Sequence, residues 1–157
     1  MDEKKIETIV RDTLAAVPHM SLGTTVNDTP WVCEVHFAHD DNLRLIYRSK
    51  RYRRHSKEIA KNPKVAGNII KQHGATERVR GVYFSGTAAL REDLAPEDPL
   101  VQRYRERFEV EPDILEQAKG PEGHAFYIIE VEKYFMFDTL ESSPARKYEL
   151  PWGSGHD

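Results

Sequence analysis

Apolar residues change period along the chain, and the changes mark its elements. Over 2–17, Ile6, Ile9, Val10, Leu14 and Val17 recur at helical spacing ahead of Pro18, which predicts an amphipathic N-terminal helix laid on a core. The period then falls to two. A short strand over 20–26, a turn at Asn27-Asp28-Thr29-Pro30 and a strand over 31–39 with Trp31, Cys33, Val35 and Phe37 on one face predict a hairpin. After Asp40-Asp41-Asn42 the segment 43–49 alternates again, so adjacent hairpins predict an antiparallel meander.

Good helix formers over 51–62 predict a helix stopped by Pro63, with Ser49 placed to cap it. Strands over 65–70 and 79–90 flank the loop 73–77, and Gly81 and Gly86 in the second predict a bulge or a close backbone approach. Asp98-Pro99 sets a cap and a first-turn proline before Leu100, Val101, Tyr104 and Phe108, an apolar stripe that predicts a helix; a shorter one follows over 112–119. Gly120-Pro121-Glu122-Gly123 turns the chain into the apolar run 124–140, too long for an average strand and expected to bend near Glu132 and Lys133. A last strand over 147–152 precedes fraying at Gly153-Ser154-Gly155. Six or seven antiparallel strands with short helices, in one domain over 1–157, predict a mainly β, α+β protein. Its parts are a helix over 1–18, a closed or partly closed barrel over 19–140, and a C-terminal strand and tail over 141–157.

Composition narrows the class. A chain of 157 residues can bury roughly 70% of its unfolded surface, so no metal or disulfide staple is required. With 39% hydrophobic and 31% charged residues it is too apolar for disorder and too polar for a membrane protein. No apolar run approaches the roughly 20 residues a bilayer demands, and the mixed-charge start MDEKK is unlike a secretory signal. No membrane partner is expected. Cys33, alone, can form neither an internal disulfide nor a CxxC metal site, which suits a cytoplasmic location.

Charge is unevenly spread. Between Arg44 and Lys64 nine basic residues face one acid, Glu58, a local +8; the other 14 basic and 25 acidic residues carry −11. Such a concentration repels itself unless an anion neutralises it. The segment from Tyr47 to Lys57 runs from a strand end into a helix start, where first-turn N–H groups are unpaired and the helix dipole is positive. Hydroxyl and guanidinium groups added there make a phosphate site, the alternative being a solvated basic face. Nucleic acid is not expected as a partner, because only Tyr52 interleaves the run and the rest of the chain is acidic. His36 and His39, three apart on a strand, point to opposite faces, so no shared metal is expected. No GxSxG, P-loop or GxGxxG occurs.

Taken in order, Pro30-Trp31-Val32-Cys33-Glu34-Val35-His36-Phe37, Leu43-Arg44-Leu45-Ile46-Tyr47-Arg48-Ser49, Arg54-His55 and Asn62-Pro63 resemble the pyridoxamine 5'-phosphate oxidase-like split-barrel flavoproteins. Val82-Tyr83-Phe84-Ser85-Gly86 and Phe126-Tyr127-Ile128-Ile129 continue the pattern. The resemblance implies a six-stranded antiparallel split β-barrel with short peripheral helices, a homodimer, and flavin mononucleotide (FMN) at the dimer interface. It implies Ser49, Arg54 and His55 on the FMN phosphate, Arg48 and Lys50 as further contacts, and Cys33, Glu34, Val35 and His36 beside the isoalloxazine ring. The activity implied is hydride transfer through flavin N5 to or from a small-molecule substrate, with the protein anchoring and orienting the cofactor. Two departures qualify this. His55 stands where the oxidases have Lys, and their C-terminal substrate signature is absent from 146–152, so the resemblance is to a branch apart from the oxidase proper and pyridoxamine phosphate oxidation is not expected. The alternatives are a split barrel holding the deazaflavin F420 or haem, and a non-catalytic flavin- or anion-binding protein.

Overall fold

Helix α1 (Glu3–Ala16) starts where the Asp2 carboxylate accepts a hydrogen bond from Lys5 N at 2.8 Å, and it buries Ile6, Ile9, Val10 and Leu14. The computed structural model describes residues 1–141, 144 and 146–153. The fraying expected at Ser154-Gly155 lies outside the described residues.

Strands β1 (His19–Val26) and β2 (Thr29–His39) pair antiparallel from Val26↔Thr29 to His19↔His36. Their connection is only Asn27-Asp28, both at positive φ, a two-residue loop whose twist matches the strands and which Asn and Asp tolerate. The expected four-residue turn is therefore shorter, and Pro30 lies inside β2, opposite Thr25. A strand proline is tolerated where one edge is open. That edge is open here: β3 (Leu45–Lys50) pairs with β2 only across Phe37↔Tyr47, Ala38↔Ile46 and His39↔Leu45, then leaves it. Among the described residues, Thr29–His36 have no strand partner on that side.

Helix α2 (Arg54–Lys61) packs on the barrel chiefly against β1, with β2 and the later strand β5 (Arg80–Arg91) beside it. It is tied to β1 by Thr24 Oγ1 donating to Glu58 Oε1 at 2.8 Å and by Asn62 Nδ2 donating to Thr25 O at 3.1 Å. β4 (Lys64–Ile70), β5 (Arg80–Arg91), α3 (Pro99–Phe108), α4 (Ile114–Gln117), β6 (His124–Asp138) and β7 (Tyr148–Pro151) follow. The sheet order is β3-β2-β1-β4-β5-β6-β7, and β3 also pairs with β6 from Leu45↔Ile129 to Lys50↔His124, closing six strands into a ring. The expected six-stranded split barrel is this ring; the seventh strand, β7, hangs on β6 outside it.

The expected bend in β6 is a register shift. Ser85 pairs with Lys133 and Gly86 with Val131, so Glu132 is the extra residue. One added residue inverts the alternation, so the inward set changes from Ala125, Tyr127, Ile129 and Val131 to Tyr134 and Met136, and both halves face the same core. At Gly86 a Cβ would overlap the carbonyl oxygen of Glu130, which is why the position opposite the bulge carries glycine. Phe126 and Ile128, on the outer face, join Ala38 and Ile46 beneath Leu100, Val101 and Tyr104 of α3, a second apolar cluster outside the ring. Asp98 caps α3 through Leu100 N at 2.9 Å, as expected, whereas α4 is one turn rather than the span 112–119. No helix among the described residues is long and apolar enough to cross a membrane.

Candidate functional site at the junction of β3 and α2

Alternation along β3 divides the basic segment in two. Tyr47 and Ser49 point inward, while Arg48 and Lys50 point outward. Ser49 remains in the strand, opposite Ala125, so it does not cap α2. The helix starts at Arg54 rather than residue 51 because Ser56 Oγ donates to Lys50 O at 2.9 Å and Arg53 N to Lys50 O at 3.1 Å, closing a tight corner first. Arg53 is the N-cap and offers no side-chain acceptor, so the amides that begin α2 keep their positive end unshielded.

Against this end lie Ser49 and His55. Ser49 Oγ and His55 Nε2 are 2.8 Å apart, and His55 is buried. Burial, and then the Arg53 charge, lower its pKa, with Glu58 opposing, so the ring is neutral near pH 7 in the protein alone. Arg54 leads the same helix. Its Nε donates to Glu58 Oε2 at 2.9 Å and its guanidinium lies 4.1 Å over the Trp31 ring, leaving its terminal nitrogens uncommitted to Glu58. Glu58 is held below the usual carboxylate range by Arg54 and Thr24, so it stays ionised.

Arg48 and Lys50 go elsewhere. Arg48 lies over the Tyr104 ring at 5.3 Å and donates to Gln117 Oε1 at 3.1 Å; Lys50 is 4.0 Å from Glu122. The structure thus brings Ser49, His55 and the head of α2 together and sets Arg48 and Lys50 on the opposite face of β3.

The segment of β2 expected beside a planar ring forms the open edge across from this junction. Val35 points into the core and Cys33 is half-buried, its thiol pushed up to about 11 by burial and then by Glu34, so it is protonated and not nucleophilic near neutrality. Glu34 and His36 point out. Glu34 binds Ser21 and lies 3.3 Å from His19 Nδ1, and His36 stacks on Phe108 with centroids 5.2 Å apart. Trp31, expected on the core face, is 42% exposed because β2 runs past the end of the barrel.

Three features were not legible in the sequence. Glu58 was noted there only as the lone acid, yet it fixes Arg54 to β1. Arg51 donates to the carbonyls of Ala118 and Gly120 at 3.0 and 2.7 Å, a fastening of the α4 loop rather than an anion contact. Tyr47 stacks on Tyr127 at 5.2 Å with its hydroxyl fully buried and no protein partner within hydrogen-bond distance. Such an orphan implies a bound group or water. Among the described residues no three His, Cys, Asp or Glu side chains gather where a metal could be held.

Comparison with known proteins places the chain in a family and the fold among solved structures. The family model described as pyridoxamine 5'-phosphate oxidase matches residues 6–138. A UPF0306 protein of Haemophilus ducreyi is 34% identical over 67 residues, a segment spanning 42% of this chain and 45% of that relative's length. HutZ, the haem storage protein of Vibrio cholerae, superposes with a TM-score of 0.66 at 18% identity over 80% of this chain and 89% of its own. An FAD-binding protein of Mesorhizobium loti does so with 0.61 at 16% identity over 84% and 92%. At these identities the likeness to the solved structures is one of fold.

Proposed function

Because the chain belongs to the pyridoxamine 5'-phosphate oxidase family, whose model spans residues 6–138, we propose that it binds FMN and acts as a flavin-dependent oxidoreductase on a small molecule, as a homodimer. The observation that carries this reading is the junction itself: a serine hydroxyl and a buried imidazole 2.8 Å away meet at an uncapped helix N-terminus whose first residue is Arg54. That donor set is the chemistry a phosphate monoester requires.

Ser49 Oγ, His55 Nε2, the first amides of α2 and the terminal nitrogens of Arg54 would hold the phosphate. Arg48 and Lys50, across β3, add to the positive field rather than to the contacts. The open edge of β2 from Cys33 to His36 would border the isoalloxazine ring, with Val35 and the protonated Cys33 giving an apolar wall and Glu34 and His36 the polar rim. FMN, when bound, supplies hydride transfer at N5. The chain's part is to fix the cofactor: α2 packs against β1, and Glu58 braces Arg54 against it.

Both named neighbours leave the pigment open to test, one being a haem storage protein and the other an FAD-binding protein. The experiment is an absorption spectrum and mass of the small molecule that copurifies. A flavin band with the mass of FMN supports the proposal; a Soret band with the mass of haem, or the mass of a deazaflavin, replaces it. Bleaching of the flavin by NADH or NADPH in the absence of air separates an oxidoreductase from a flavin carrier.

A further inference from the structure

A groove of about 450 Å³ lies along α2, lined by Val26, Asn27 and Thr29 of the β1–β2 hairpin end and by Tyr52, Arg54, Lys57, Glu58 and Lys61; of the residues at the start of the helix, Arg54 alone reaches it. Its size is in the range that small ligands fill. Residues 54, 57 and 61 are three and seven apart, so helical geometry stacks their charges in one stripe. Glu58 is the groove's one acid and is already consumed by Arg54 and Thr24. Three cations less one carboxylate leave +2, and among the described residues neither Lys57 nor Lys61 has an ion pair. At the junction end stands Tyr52, 44% exposed, with Lys50 and Arg53 within 5.7 Å of its ring centre. A ring beside a row of free ammonium groups suits a heterocycle joined to a short polyphosphate.

We infer that this groove is a nucleoside diphosphate subsite, in which Lys57 and Lys61 take the phosphates and Tyr52 packs against the base. It rests on the flavin reading only for what it adjoins: Arg54 borders both places, so a phosphate chain could continue from one to the other. The same chemistry has two sources. It is the far half of a dinucleotide flavin, or the nucleotide half of a nicotinamide donor.

The test is calorimetric titration of the full chain with ADP, inorganic pyrophosphate, FMN and FAD, repeated on Lys57→Ala/Lys61→Ala, a pair of surface changes outside the FMN contacts. We expect ADP to bind wild type at least tenfold tighter than pyrophosphate, the double variant to lose at least tenfold in ADP affinity, and FMN affinity to move less than twofold. A dinucleotide flavin as source is supported if FAD binds tighter than FMN by a margin the double variant abolishes. A separate donor is supported if FAD has no such margin and ADP binds the FMN-loaded protein undiminished. No ADP binding, equal binding of ADP and pyrophosphate, or an unchanged double variant overturns the subsite. ADP binding with no FMN binding would retain the subsite and remove the flavin reading instead.

Discussion

Ser49 Oγ and His55 Nε2 lie 2.8 Å apart across the corner where β3 hands over to α2, and the histidine is buried. The pair is held from both sides: Ser49 by the strand register with Ala125, His55 by a helix whose start is fixed through Ser56 and Lys50. A neutral imidazole can only accept or donate one hydrogen bond at Nε2, whereas a protonated one donates from both nitrogens. An anion at this corner therefore favours the protonated ring.

That gives a pH dependence. His55 has a lowered pKa, so the unfolded chain binds more protons than the folded one and stability rises with pH. His39 and His124 are lowered too, chiefly by burial, and add in the same direction. The unliganded protein is expected to lose Tm as pH falls below about 6.5, the ordinary histidine value. His55→Asn should flatten part of that slope, and excess phosphate should flatten it in wild type but not in the variant. A thermal melt series across pH checks this; a wild-type Tm that is flat through this range would contradict it.

Gly86 faces the extra residue of β6. Gly86→Ala would drive a methyl into the Glu130 carbonyl, and since backbone must shift, a loss of about 1–3 kcal/mol is expected. Ala89→Gly, on the exposed end of the same strand, should cost less, about 0.5–1 kcal/mol. Denaturant unfolding of both variants provides the comparison.

Tyr134 is fully buried and donates to Leu43 O at 2.6 Å, where Leu43 itself has positive φ. The bond fixes the turn that aims β3. Tyr134→Phe leaves that carbonyl unsatisfied and should cost about 1–3 kcal/mol by chemical denaturation, with little change in the far-ultraviolet spectrum.

Period and punctuation made most of this fold readable, and the misses share one cause. Alternation located β1, β2 and β3, and Gly86 with Glu132 marked a real register shift, because local sterics decide such features. Trp31 obeys the same alternation yet is exposed, since a strand pattern does not tell where the strand outruns the barrel. The ring closes by β3 pairing with β6, contacts between residues some 80 apart such as Leu45↔Ile129, which no local window contains. At the site, the sequence pointed to the charges but not their directions. Ser49 inward and Arg48 outward follow from strand alternation once β3 is known to run to Lys50; a helix start placed at residue 51 hid this. Glu58 showed in the sequence only as the lone acid of the basic run; neither its bond to Arg54 nor its anchor at Thr24 did.

The central claim is that a flavin phosphate is held where β3 meets α2, and fluorescence titration of FMN against wild type and Arg54→Ala tests it most directly. The account predicts affinity at least tenfold weaker in the variant, about 1.4 kcal/mol or more, with a thermal melt showing it still folded. FMN binding of undiminished affinity to a folded Arg54→Ala protein would contradict it.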